Sequence, residues 1–217
     1  MMHRSHLPSE PDGAPAGCDD EEALALRALG AVFRHAQEGE LPLFAWTLGL
    51  PQAELLDLLD RYFPQCGTLQ PMREHEYQVI ERTVPPEFTA LSALLLLHCT
   101  AGEERRLCGW LARAIAAAAF GSRHLWEDLG MPGRDAVSAL MRRYFAPLYR
   151  KNVLDLRWKR FLFAEAGART GNPDLRPPEC GGCDQLRNCF PAAAPASAST
   201  SASDSAAPVP GGAGTPA

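Results

Sequence analysis

Apolar side chains return every three to four positions through most of the first 170 residues. From about Asp20 to Gln37, Leu26, Leu29, Val32 and Phe33 share one face, the period of a helix rather than a strand. Asp19 and Glu22 precede that run at capping-box spacing. A second helix is predicted from Pro51, a favoured first-turn position, through Leu55, Leu56, Leu59 and Phe63 to Pro64. After the loop PQCGTLQPM, a short helix from about Arg73 to Glu81 should end before Pro85-Pro86. EFTALSALLLLH and EERRLCGWLARAIAAAAF are more continuously apolar and read as the helices at the centre of the core. RHLWEDLG follows with Gly130 as its stop, then GRDAVSALMRRYF, stopped by Pro147. The last helix is predicted from Val153 to about Ala168, with Asn152 as N-cap and Asp155 at the third position.

The chain has only two Ile and six Val beside long Ala/Leu/Glu/Arg stretches, so β-structure is disfavoured. The expectation is all-α: an irregular bundle of seven or eight helices. Residues 1–18 and 191–217 carry no apolar periodicity. The second of these, PAAAPASASTSASDSAAPVPGGAGTPA, holds one charge and no aromatic residue, too little to offset chain entropy by burial. The expected organisation is a disordered segment over 1–18, a helical domain over 19–170, a Cys-rich loop over 171–190 and a disordered tail over 191–217.

Charge alters this picture in one respect. The net charge is −5, yet its distribution is uneven. Residues 1–60 hold eleven acidic and three basic side chains. Residues 134–160 hold eight basic ones (Arg134, Arg142, Arg143, Arg150, Lys151, Arg157, Lys159, Arg160) against Asp135 and Asp155. Two oppositely solvated faces would account for this, and so would a cationic surface for an anionic small molecule or an acidic protein. Nucleic acid fits less well, because the chain is acidic and carries no recognised nucleic-acid module. The first seventeen residues lack the apolar stretch of a secretory signal, and LSALLLLHC is too short to span a bilayer. A cytoplasmic protein with reduced thiols and no membrane segment is expected.

Seven cysteines divide into four scattered (Cys18, Cys66, Cys99, Cys108) and three within ten residues, Cys180, Cys183 and Cys189. Cys99 and Cys108 lie in apolar helical stretches and read as small core residues. The cluster reads as a metal loop, since thiolates are soft ligands for zinc or iron. Gly181-Gly182 free the backbone between the first two, Pro177-Pro178 keep a helix from entering the loop, and Arg176 and Arg187 offset thiolate charge. Spacing alone leaves zinc and iron–sulfur both open. His124 and Asp128, four residues apart, share a helix face and would either ligate a metal or oxyanion or simply fix a helix end. Trp126, Leu125 and Leu129 read as core, and Trp158 as an anchor for the last helix with its neighbouring cations facing out. No phosphate loop, nucleophile elbow or paired-carboxylate signature is present, so no classical enzyme activity is indicated.

The segment HLWEDLGMPGRDAVSALMRRYFAPLYRKNVLDLRWKRFLF, followed by the cysteine loop ending in CF, resembles the NifQ family, as does LGLPQAELLDLLDRYFP nearer the front. The likeness spans about residues 20–190. It implies an iron–sulfur protein that accepts molybdenum, as a mixed molybdenum–iron–sulfur cluster, and donates it for assembly of the nitrogenase iron–molybdenum cofactor. The partners implied are the cofactor scaffold and iron-protein assembly partners, with molybdate as the small molecule. The family's cysteine pattern, C-x4-C-x2-C-x5-C, maps its last three positions onto Cys180, Cys183 and Cys189, while Leu175 stands at the first. Leucine cannot ligate a metal. Either three thiolates suffice and leave an open corner, or Cys18, Cys66, His35 or His124 completes the set, or the site is impaired. Molybdate being a dianion, Arg142, Arg143, Lys159 and Arg160 are candidate capture residues. The competing readings are a helical interaction module with structural zinc and a simple iron–sulfur electron carrier.

Overall fold

A computed structural model describes residues 18–178 except 68, 101, 103 and 104, with side chains from residue 22 onward. Among the described residues the chain is all-helical, with nine α-helices and no strand. In chain order they are α1 (Cys18–Gln37), α2 (Gln52–Tyr62), α3 (Glu74–Glu81), α4 (Pro86–Leu97), α5 (Arg105–Ala118), α6 (Leu125–Asp128), α7 (Arg134–Tyr144), α8 (Ala146–Lys151) and α9 (Trp158–Thr170). Short 3-10 turns lie at Leu43–Trp46 and Pro64–Cys66. No helix among these residues is long and apolar enough to cross a membrane.

α5 forms the centre. Ten of its residues are buried, five of them alanines, and such small side chains let neighbouring helices approach closely. α4 pairs with it, α1 covers another side, and α9 lies across α4. An aromatic chain ties these layers together: Phe44 packs on Phe88 and Phe120 with ring centroids 5.0 and 5.4 Å apart, and Phe120 on Phe163 at 5.6 Å. Gly130 does two things at once. Its φ of +60° ends the turn after α6, and a Cβ there would lie 2.6 Å from that of Ala31, so α1 approaches where only glycine fits.

Three expectations need correction. Pro147 does not merely stop α7. It stands in the first turn of α8, a helix the sequence reading omitted, because proline's fixed φ and missing N–H suit a helix start as well as a stop. Asn152 is the C-cap of α8 and not the N-cap of α9, which begins at Trp158. Cys99 and Cys108 are not separate core thiols. Their sulfurs are joined in a disulfide nine residues apart, since the turn between α4 and α5 brings the two Cα atoms to 6.5 Å. Cys108 is fully buried. The expected capping box at Asp19, the segment 1–17 and the tail 191–217 lie outside the described side chains or residues.

Candidate functional site

The densest polar constellation lies where α1, the turn before α6, and α9 meet. Asp128, the last residue of α6, is fully buried. Its Oδ1 accepts from Arg123 Nε at 3.1 Å and its Oδ2 from Lys159 Nζ at 2.7 Å. Lys159 also donates to the carbonyls of Gly121 at 2.8 Å and Arg123 at 2.5 Å. Three N–H donors thus meet three acceptors, the full complement of an ammonium group. Gly121 makes room for this arrangement, because a Cβ there would stand 2.4 Å from Asp128 Oδ2.

Arg123 carries the network outward. Its Nη2 donates to Glu40 Oε2 at 2.6 Å, and the same carboxylate oxygen lies 2.7 Å from His35 Nδ1. Partial burial works against the Arg123 charge, but the hydrogen bond and charge of Asp128, together with Glu40, outweigh it and raise its pKa above the ordinary value. His35 Nδ1 lies between the two, donating to the Glu40 carboxylate in one tautomer and accepting from the Arg123 guanidinium in the other. His35 Nε2 is buried with no hydrogen-bond partner. His35, Glu38 and Glu40 bring their ligand atoms within 4.8 Å of one another, as a cation site would. The cation already among them is the Arg123 guanidinium, 3.1 Å from His35 Nδ1.

The predicted pair His124 and Asp128 does not act as a pair. His124 is exposed at the N-cap of α6, where its backbone N–H donates to Glu127 Oε2 at 2.8 Å and its ring stacks on Trp126. Asp128 turns the other way, into the ion lock. Trp158 is buried as expected and donates to Ser138 Oγ at 3.0 Å. Its neighbour Lys159 faces in and not out, which departs from the sequence expectation. Of the four proposed capture residues, Arg142 and Arg143 sit in the last turn of α7, Lys159 and Arg160 in the first turn of α9. Lys159 is held on the interior lock. That lock leaves no local pattern in the sequence, because Asp128 and Lys159 are 31 residues apart. The available signal was Asp128 next to Leu129 and three from Leu125, at the edge of a buried face.

Cys180, Cys183 and Cys189 lie outside the described residues. Their approach road does not. α9 ends on Gly171, in the left-handed region at φ +73°, and the chain folds back along the helix. Gly167 permits this return: a Cβ there would meet the carbonyl oxygen of Asn172 at 2.3 Å and Leu175 Cβ at 3.0 Å. Leu175 is half-buried against the core and Pro177 is buried. The cysteine segment therefore begins three residues after an anchored proline. Leu175, where the resemblance to the family leads one to expect a cysteine, is a packing residue. Among the candidates for a completing ligand, Cys66 is exposed after α2, His35 is engaged with Glu40, and His124 stands at α6.

The family model that matches the chain is that of NifQ, over residues 28–191. Protein NifQ of Rhodobacter capsulatus is 30% identical over 185 residues, which cover 85% of this chain and 97% of that protein. A NifQ homolog of Sinorhizobium fredii is 34% identical over 142 residues, 65% of this chain but only 60% of the homolog's length. Protein NifQ of Azotobacter vinelandii is 28% identical over 172 residues, 76% and 87% of the two chains. No solved structure gives a significant match.

Proposed function

The chain belongs to the NifQ family, and from that premise we propose that it is a carrier that accepts molybdenum and donates it for assembly of the nitrogenase iron–molybdenum cofactor. The observation that carries this reading is the extent of the family match. It runs to residue 191 and so takes in Cys180, Cys183 and Cys189 along with the helical body. Three thiolates within ten residues suit iron–sulfur iron, and these three are the residues that would hold such a cluster. When bound, it supplies sulfide-bridged metal positions able to hold molybdenum as cargo. With Leu175 turned to packing, the local set is one ligand short of a closed four-thiolate site. A donor must release what it carries, and an incomplete ligand set favours release.

The chain's own residues contribute the platform. Leu175 and Pro177 fasten the segment that leads into the cysteines. Arg142, Arg143 and Arg160 supply positive charge on neighbouring helices for an incoming molybdate dianion, while Lys159 holds the platform together from inside.

Protein isolated without oxygen should be brown, with iron, acid-labile sulfide and molybdenum in fixed ratio. A colourless protein with one zinc per chain would overturn the proposal in favour of a structural zinc module. Iron and sulfide without transferable molybdenum would make it an electron carrier. Leu175→Cys should tighten metal retention and slow transfer to an acceptor, at about 1 kcal/mol of lost packing.

A further inference from the structure

Two aliphatic side chains, Val153 and Leu154, stand 83% and 77% exposed at the tip of the turn between α8 and α9. Apolar residues at such exposure usually sit on loose chain, but this turn is fastened at every step. Asn152 Nδ2 donates to Leu156 O at 2.9 Å, and Leu156 N donates back to Asn152 Oδ1 at 2.9 Å. Asp155 N donates to Asn152 O at 3.1 Å. Arg134 reaches over from α7, donating from Nη2 to Asp155 O at 2.8 Å, Asp155 Oδ1 at 2.6 Å and Leu156 O at 3.2 Å. Asp155 is held at φ +48°, a left-handed conformation that non-glycine residues rarely adopt. Behind the turn Trp158 is buried, with Tyr149 stacked on it at 6.2 Å.

A turn held in an uncommon backbone conformation by two polar side chains, with its apolar residues facing water, has the build of a preorganised contact. The charge around it names the kind of contact. Arg150 precedes the tip and Arg157 follows it, both exposed, while Lys151 is paired with Glu165 and Asp155 with Arg134. An apolar centre inside a positive rim fits an apolar socket inside a negative rim.

We propose that the 152–157 turn is the knuckle through which this chain docks on its molybdenum acceptor, seating Val153 and Leu154 in an apolar socket rimmed by carboxylates. The inference rests on the carrier reading above and adds to it the surface and the chemistry of the partner. Preorganisation lowers the ordering cost of docking, and the cationic rim speeds encounter in a salt-dependent way.

The test uses the full chain isolated without oxygen and, as probe, the purified cofactor scaffold protein. Val153→Ser with Leu154→Ser should weaken binding by about tenfold or more, with metal content and denaturation midpoint unchanged. Arg150→Glu should weaken binding and flatten its salt dependence. Equal binding by the double variant, or no binding by the unaltered chain, would overturn the docking role. Self-association of the unaltered chain, relieved by the same substitutions, would overturn it in favour of a contact between copies. Metal content is measured on the same samples, so failure of the carrier reading shows separately as absent iron and molybdenum.

Discussion

Asp128 is where a single carboxylate connects three parts of the molecule. Its two oxygens face Arg123 and Lys159, and those cations reach on to Glu40 just after α1 and to the turn at Gly121. Removing one partner of a buried, hydrogen-bonded ion pair costs about 3–5 kcal/mol, because the remaining charge stays buried without compensation. Asp128→Ala should therefore lower unfolding stability by about that amount in urea titrations. A loss near that of a surface ion pair, below about 1 kcal/mol, would show that water replaces the carboxylate at no great cost. Tyr77 offers a pH-dependent counterpart. It is 3% exposed, its hydroxyl donates to Leu50 O at 2.8 Å, and burial first, then Glu81 and Glu74, push its pKa up to about 12. The unfolded tyrosine titrates near 10. Between those values the unfolded chain has lost the proton that the native one keeps, so stability is whole below pH 10 and falls as pH rises towards 12. The slope should be about 1.4 kcal/mol per pH unit. Tyr77→Phe should cost about 1–2 kcal/mol at neutral pH and remove that alkaline decline, read by denaturant unfolding at pH 9 and pH 11.

At the scale of elements, the sequence was informative wherever one helix face carried the signal. α1, α2, α3, α4, α5 and α7 appear close to where periodicity and capping residues put them, since those choices depend on neighbours within a turn or two. The stretch from Phe145 to Arg157 was not legible in the same way. Pro147 is compatible with ending one helix and beginning another, and Asn152 caps equally well in either direction; long-range contacts decide. Here Arg134 and the burial of Trp158 hold the chain in a turn over 152–157 and delay α9 to Trp158. Lys159 was misjudged for a related reason. A lysine beside an arginine reads as exposed, and its burial became favourable only with an aspartate brought in from α6. Asn152→Ala tests the element directly. It removes two hydrogen bonds to Leu156, and the expected cost is about 1–2 kcal/mol. Amide exchange should speed up over 152–157 while α5 keeps its protection. Uniform loss of protection would mean that the turn is part of the cooperative core.

For the molecule as a whole, the relation between the helical body and the cysteine segment determines what can be separated by mutation. Among the described residues α5 is surrounded by α1, α4 and their neighbours, and the buried apolar set runs from Ala25 to Ala166. The chain then leaves along α9, fixed by Leu175 and Pro177, before the first clustered thiol. Metal-dependent folding is the rule for small domains whose only core is the metal, and a body with this many fully buried aliphatic and aromatic side chains is not of that kind. Spacing singled out the candidate ligands in the sequence, whereas the packing role of Leu175 was not legible, because its neighbour Gly167 acts through a close backbone return and not through a pattern. Cys183→Ala should accordingly lose bound iron while keeping its far-ultraviolet circular dichroism and its denaturation midpoint within about 0.5 kcal/mol, the range of changes outside the packed core. Metal analysis and a urea titration on the same anaerobic preparation check both halves. If helix content falls together with the iron, the segment after Pro177 is part of the fold, and the proposed carrier could not release a cargo without loosening its own core.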